Sequence, residues 1–181
     1  MSRILILGAG AMGTSFAYPC IDNKHDVSII GTHLENDFID GLKKKYFHSG
    51  LNLEVLKNIK FFKHELIKKK FQTKPDLVVL GVSSKGIEWV ADELKKNSYN
   101  GILPPLLMLT KGLSINENKY ELLVDKLTRL LNQKGIKNIN VSAVGGPCLA
   151  AGLANRVHSG VVIANKKLES AELLKKMLMT N

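Results

Sequence analysis

A doubly wound α/β fold, with a mostly parallel sheet and helices on both faces, is predicted by three observations. Short runs of branched apolar residues alternate with amphipathic stretches along the chain, the pattern of βαβ units. The first run, Arg3-Ile4-Leu5-Ile6-Leu7, passes directly into Gly8-Ala9-Gly10-Ala11-Met12-Gly13. The loops with distinctive chemistry all follow the carboxyl end of an expected strand, where open α/β sheets bind their ligands.

Each element has its own signal. The run at 3–7 is too short for a helix and ends at glycine, so it reads as a buried strand. The glycines then turn the chain into a helix over 11–23, within which Pro19 removes a backbone donor, at a cost of roughly 3 kcal/mol or a kink. A second strand at 26–30 ends at Gly31, and a polar excursion over 32–56 holds a helix-like stretch at 37–42. A short strand is expected at 59–62 and a fully buried one at 77–82. Ile87, Val90, Ala91 and Leu94 fall at helical spacing within 87–96. The strand at 106–109 delivers Thr110-Lys111-Gly112, and a helix at 121–131 presents Leu122, Leu123, Leu127, Leu130 and Leu131. A strand at 140–144 reaches Gly145-Gly146-Pro147 and a helix from Cys148 to Ala154. The last strand is expected at 160–164 and the last helix at 170–179, capped by Ser170. Parallel neighbours should connect by right-handed crossovers.

Composition narrows the function classes. With 181 residues and 45% apolar content, 1–181 fits one domain with a proper core. No apolar run approaches the roughly 20 residues of a membrane span. The first strand begins almost at Met1, which leaves no room for a signal peptide. Cys20 and Cys148 form neither a disulfide framework nor a metal-ligand spacing, so no metal and a cytoplasmic setting are expected. The formal charge of +10 raises nucleic acid as a partner. Only Arg3, Arg129 and Arg156 are arginine, the residue suited to reading bases, so no nucleic-acid surface is expected. Lys43-Lys44-Lys45 and Lys68-Lys69-Lys70 read as solvated helix faces.

The Gly8 to Gly13 segment, set between a strand and a helix, is the dinucleotide-binding fingerprint of Rossmann-type domains. Gly8 allows the turn, Gly10 lets a pyrophosphate approach the backbone, and Gly13 lets helix and strand pack closely. The first-turn amides and the helix dipole favour the phosphate charge. NAD-selective sites place Asp or Glu about 20 residues past the glycines, on the ribose 2′-hydroxyl. Gly31-Thr32-His33 offers no acid there, and Glu35 stands too far along. NADP is therefore expected to bind at least as well as NAD. Lys111, at a strand end, is a compact cation suited to a phosphate or a developing alkoxide. Cys148, at a helix start, raises a nucleophile, since that position lowers a thiol pKa. Its loop holds no histidine to act as base, and His158-Ser159 reads as a turn into the last strand.

Several motifs together carry a resemblance. Gly8 to Gly13 followed by Thr14, Val82-x-x-x-Gly86 around Ser83-Ser84, Leu109-Thr110-Lys111-Gly112-Leu113, and Gly146-Pro147-Cys148-Leu149-Ala150 occur in this order. The chain thereby resembles the NAD(P)-dependent sn-glycerol-3-phosphate dehydrogenase family, over essentially its whole length but only the amino-terminal half of a family member. The resemblance implies that Ala11 and Met12 touch the cofactor and that Thr32 lines the adenosine ribose or its phosphate. It implies that Lys111 contacts both cofactor and glycerol phosphate, with Gly146 and Cys148 near the substrate and Ala150 near the cofactor. The family's carboxyl-terminal helical domain, absent from this chain, completes the substrate site and the homodimer and carries the general-base lysine. No catalytic residue is therefore expected within these residues.

Met12 stands where the family often has an aromatic residue, and Gly152 where it usually has glutamate. The implied reaction interconverts sn-glycerol 3-phosphate and dihydroxyacetone phosphate and feeds glycerophospholipid synthesis. The rivals are a stand-alone dinucleotide-binding or sensing module, and a two-domain relative such as ketopantoate reductase or 6-phosphogluconate dehydrogenase. Thr110-Lys111-Gly112 and Gly146-Pro147 disfavour the latter pair. The isolated chain is expected to bind dinucleotide weakly without turnover, and to associate through Met177, Leu178 and Met179.

Overall fold

The computed structural model describes residues 1–180. Its centre is β1 (Arg3–Leu7), which pairs in parallel with β2 (Asp26–Ile30) on one side and β6 (Leu77–Leu80) on the other. Beyond β2 lies β5 (Lys60–Phe62); beyond β6 lie β7 (Leu106–Met108) and then β10 (Val141–Gly145), all parallel. A short antiparallel strand, β11 (Val162–Ala164), completes the seven-stranded sheet. The chain winds outward from β1 in one direction and then in the other. The reversal leaves a crevice at the carboxyl ends of β1 and β6, the place where doubly wound sheets take ligands.

Period-two alternation divides the sheet's side chains between two cores. Ile4 and Ile6 of β1, with Leu77 and Val79 of β6, face α1 (Ala11–Asp22), α2 (Asn36–Lys45), α6 (Ala150–Ala154) and α7 (Leu168–Leu178). Leu5 and Leu7, with Val78 and Leu80, face α3 (Ile67–Gln72), α4 (Ile87–Asn97) and α5 (Leu123–Gln133). Both faces of each strand are covered, which is why these segments are apolar throughout.

The structure corrects several expectations. Residues 113–122 form a hairpin, β8 (Leu113–Asn116) with β9 (Lys119–Leu122), so α5 begins at Leu123 instead of 121. Its turn residues Glu117 and Asn118 sit at φ +49° and +60°, the two-residue geometry that matches strand twist. Leu113, Ile115, Tyr120 and Leu122 point outward and are exposed, whereas Glu121 turns inward to Arg129. Apolar residues here form one hairpin face, so their clustering imitates a helix start. A smaller hairpin, β3 (Phe47–His48) with β4 (Leu53–Glu54), occupies the polar excursion.

Helix α1 runs without interruption through Pro19, and α6 starts at Ala150 instead of Cys148. Helix α7 is preceded by Lys167, not capped by Ser170, whose Oγ accepts a bond from Asn140 Nδ2 at 3.1 Å. Leu178 is buried and Met177 packs against the first core, leaving Met179 as the exposed member of that trio. The expected association surface is therefore largely used within the fold. Lys43, Lys44 and Lys45 are exposed in the last turn of α2, where they complement the helix dipole. Lys70 differs from its neighbours: its ammonium lies 3.6 Å from the centre of the Phe62 ring, and desolvation lowers its pKa. Among the described residues no helix is long and apolar enough to cross a membrane.

Candidate functional site

The crevice is built by three backbones in contact. Gly8 turns the chain at φ +103°, its N–H donating to Ile30 O at 2.8 Å. A Cβ on Gly8 would stand 2.8 Å from Gly81 O, and one on Gly81 would stand 2.9 Å from Gly13 Cα. A Cβ on Gly13 would overlap the Gly8 carbonyl oxygen. Only glycine fits these positions, and together they draw the start of α1 down between the ends of β1 and β6. Thr14, fully buried, donates its hydroxyl to Ala9 O at 3.0 Å and fixes the loop.

Gly10 behaves differently. A Cβ there would find Glu35 Oε1 at 4.0 Å and nothing nearer, so its face is open. No side chain caps the first turn of α1, and Ala11 and Met12 are half-buried beside that opening. Uncapped amides facing open space at the positive end of a helix fit a pyrophosphate. The residues present thus suit a dinucleotide.

Two side chains outside the glycine motif brace this loop. His48, buried on β3, accepts from Leu51 N–H through Nδ1 at 3.1 Å, which assigns the proton to Nε2. Nε2 then donates to Ala9 O at 3.1 Å, tying the small hairpin to the glycine loop. No local sequence pattern announces this contact, because it spans 39 residues. The other is Glu35, set aside as too distant. Its carboxylate folds back over the turn and accepts from Thr32 N–H at 2.6 Å and Ala9 N–H at 3.3 Å. Thr32 is half-buried at that corner. Beside it His33, His64 and Trp89 form a ring cluster, with centroids 5.6 Å (His33–Trp89) to 6.4 Å (His64–Trp89) apart.

The other end of the crevice is set by the loops after β7 and β10. Thr110 Oγ1 donates to Val82 O at 2.5 Å, holding the β7 loop to the β6 loop. Exposed Lys111 extends its ammonium to Gly146 O, also at 2.5 Å. The same carbonyl accepts the Cys148 N–H at 2.9 Å. Gly146, at φ +101°, provides the turn that aims it. Lys111, Gly146 and Cys148 are therefore brought together as expected, while Ala150 sits half-buried at the start of α6.

The Cys148 thiol is not activated by its place before a helix. Burial pushes the Cys148 pKa up, with the nearby Lys111 charge a smaller opposing influence. A five-residue α6 that starts two positions later brings no compensating depression, and a thiol held protonated is a poor nucleophile. At Gly152 a Cβ would meet only Ser159 Oγ and Val157 Cβ, at 3.8 and 3.9 Å, so sterics do not demand glycine there.

With this geometry in view, residues 3–171 match the family described as the N-terminus of NAD-dependent glycerol-3-phosphate dehydrogenase. The chain belongs to that family. It is 27% identical over 180 residues to an NADP(+)-dependent glycerol-3-phosphate dehydrogenase of Archaeoglobus fulgidus, covering 98% of this chain and 50% of that protein. It is 28% identical over 181 residues to a glycerol-3-phosphate dehydrogenase [NAD(P)+] of Francisella philomiragia, covering 97% and 49%.

Among solved structures, the fold matches glycerol-3-phosphate dehydrogenase of Coxiella burnetii with a TM-score of 0.81 at 19% identity, over 99% of this chain and 51% of that one. The Plasmodium falciparum enzyme gives 0.80 at 18% identity, over 99% and 50%. The chain spans about half the length of the curated relatives it matches. It is the NAD-binding, amino-terminal domain of this family, and its cofactor class is NAD or NADP.

Proposed function

We propose that this chain is the cofactor-binding half of an enzyme that reversibly oxidises sn-glycerol 3-phosphate to dihydroxyacetone phosphate. The observation that carries the reading is the Lys111 ammonium, poised on Gly146 O between two strand-end loops, in a family member with an open phosphate cradle. A bound nicotinamide dinucleotide would supply the hydride acceptor or donor. The residues of this chain hold and orient. Gly8, Gly10 and Gly13 shape the loop, the amides of Ala11 and Met12 take the pyrophosphate, and Thr32 and Ala150 line the cofactor's path. Lys111 exchanges its Gly146 carbonyl for an anionic oxygen, either the substrate phosphate or the oxygen that gains charge during hydride transfer. Gly146 and Cys148 form the wall beside it.

The alcohol proton needs a base within about 3 Å. The resemblance assigns that base to a carboxyl-terminal helical domain, in a protein that would dimerise and serve glycerophospholipid precursor synthesis. The 181-residue chain should bind dinucleotide weakly and show no turnover with dihydroxyacetone phosphate. Calorimetric titration with NADH and NADPH, beside an absorbance assay, checks both halves of that statement. Lys111→Ala should keep the melting temperature of the parent, since the side chain is exposed, and in the two-domain protein should lower turnover and substrate affinity through loss of one charge contact. Parent-like turnover and substrate affinity in that variant would remove Lys111 from the site. Turnover by the chain alone would place the base within it.

A further inference from the structure

Glu35 occupies a corner that matters for cofactor choice, and the inference drawn from it rests on the dinucleotide reading above. On this fold the adenosine ribose lies beside the end of β2, next to the glycine loop. The Glu35 carboxylate stands there, pinned by the amides of Thr32 and Ala9 at 2.6 and 3.3 Å, with Oε1 facing open Gly10. Its backbone is fixed as well: Glu35 N–H donates to Thr32 O at 3.0 Å, and Ile39 N–H donates to Glu35 O at 2.8 Å. Gly31 makes the placement possible, because a Cβ at that position would come within 3.2 Å of Glu35 Cβ.

The charged groups nearby are engaged with partners other than Glu35. Among the described residues no lysine, arginine or histidine nitrogen pairs with Glu35 within 4.0 Å. Lys63, at the end of β5, is held 2.6 Å from Asp40 Oδ2. Glu65 accepts from Asn36 Nδ2 at 2.7 Å, and hydrogen bonds to its own backbone N–H and to Asn36 hold its carboxyl below the usual range. His33 and His64 are the cationic candidates on this edge, and they pack against Trp89.

We infer that Glu35 makes this chain select NAD(H) over NADP(H), the reverse of the preference that Gly31-Thr32-His33 suggests, because Glu35 folds back to the corner those residues leave without an acid. Its carboxylate accepts a bond from the ribose 2′-hydroxyl, and the same fixed charge repels a 2′-phosphate. The relative from Archaeoglobus fulgidus is named for NADP(+), so the choice is not inherited from the family as a whole.

Calorimetric titration of the 181-residue chain with NADH and with NADPH, at about pH 8 where an ordinary imidazole is neutral, tests this. NADH should bind at least about tenfold more tightly, the scale of one charge-assisted bond exchanged for a like-charge contact. Glu35→Gln should bring the ratio toward one, mainly by strengthening NADPH. NADPH binding as tightly as NADH to the parent chain, or an unchanged ratio in folded Glu35→Gln, would overturn the inference alone. Failure of both dinucleotides to bind the parent would overturn the dinucleotide reading and this inference with it. Circular dichroism reports whether the variant is folded, and the parent ratio decides the matter even if it is not.

Discussion

Single positions in this domain are constrained most where backbones cross. Gly8, Gly10 and Gly13 were legible from their spacing after a strand, and the contacts at Gly8 and Gly13 supply the physical reason for two of them. Gly81 makes an equal demand yet carries no motif, because its constraint comes from across the sheet. Ser15 shows the opposite situation, a polar group with nothing to do. Its carbonyl loses the usual helical donor to Pro19, and its buried Oγ has no hydrogen-bond partner among the described residues. Removing that oxygen relieves an unsatisfied group and improves helix propensity, so Ser15→Ala should stabilise the fold by about 1 kcal/mol. Urea unfolding of parent and variant reads the difference. A destabilised variant would mean that Oγ is satisfied in solution.

Elements in this fold are joined by side chains that bridge long sequence separations. His48 is the clearest case, a positioning residue that clamps the β3–β4 hairpin to Ala9 of the glycine loop. His48→Ala would remove two hydrogen bonds, at about 0.5–1.5 kcal/mol each, since Ala9 O keeps the Thr14 hydroxyl and Leu51 N–H keeps the carbonyl of residue 48. The expected result is lower stability together with dinucleotide binding weakened up to about tenfold, since the loop loses its brace. Gln at this position retains a donor at similar reach, so His48→Gln should recover most of the affinity. Affinity that follows neither variant would make His48 a matter of folding only.

The β8–β9 hairpin is tied to α5 by the Glu121 pair with Arg129, at 2.6 and 3.2 Å. The Arg129 hydrogen bond lowers the Glu121 pKa first, with Ser114 and nearby charges adding to it, against a smaller opposing desolvation. A folded-state value below the unfolded one means that this stabilisation is complete above the ordinary carboxylate range. It is lost as pH falls through the lowered folded value. Thermal melts of parent and Glu121→Gln should therefore differ near neutral pH and converge in acid. A gap that persists below about pH 3 would show that the pair stabilises by packing instead of charge.

At the scale of the whole molecule, the order of elements was legible and their boundaries with polar partners were not. Buried parallel strands must be apolar on both faces, so 4–7, 77–80 and 106–108 stand out in any window of the sequence. The amphipathic helices between them follow from the same requirement, since each must cover one face of that sheet. The strand order, with its reversal between β1 and β6, then places every candidate loop along one edge. Pattern alone does not separate the apolar end of a hairpin strand from the start of a helix, which is why Glu121 and Leu122 read as helix although they close β9.

The amino-acid sequence by itself determined the class of fold, the glycine turn between β1 and α1 and the loops that meet around Lys111, because local periodicity and glycine placement encode them. Tertiary structure alone decided which way Glu35 turns, that His48 holds Ala9, that burial keeps the Cys148 thiol protonated, and that Leu178 is spent on the core. Those outcomes depend on the distance and solvent access between groups remote in the chain. A linear pattern records neither quantity.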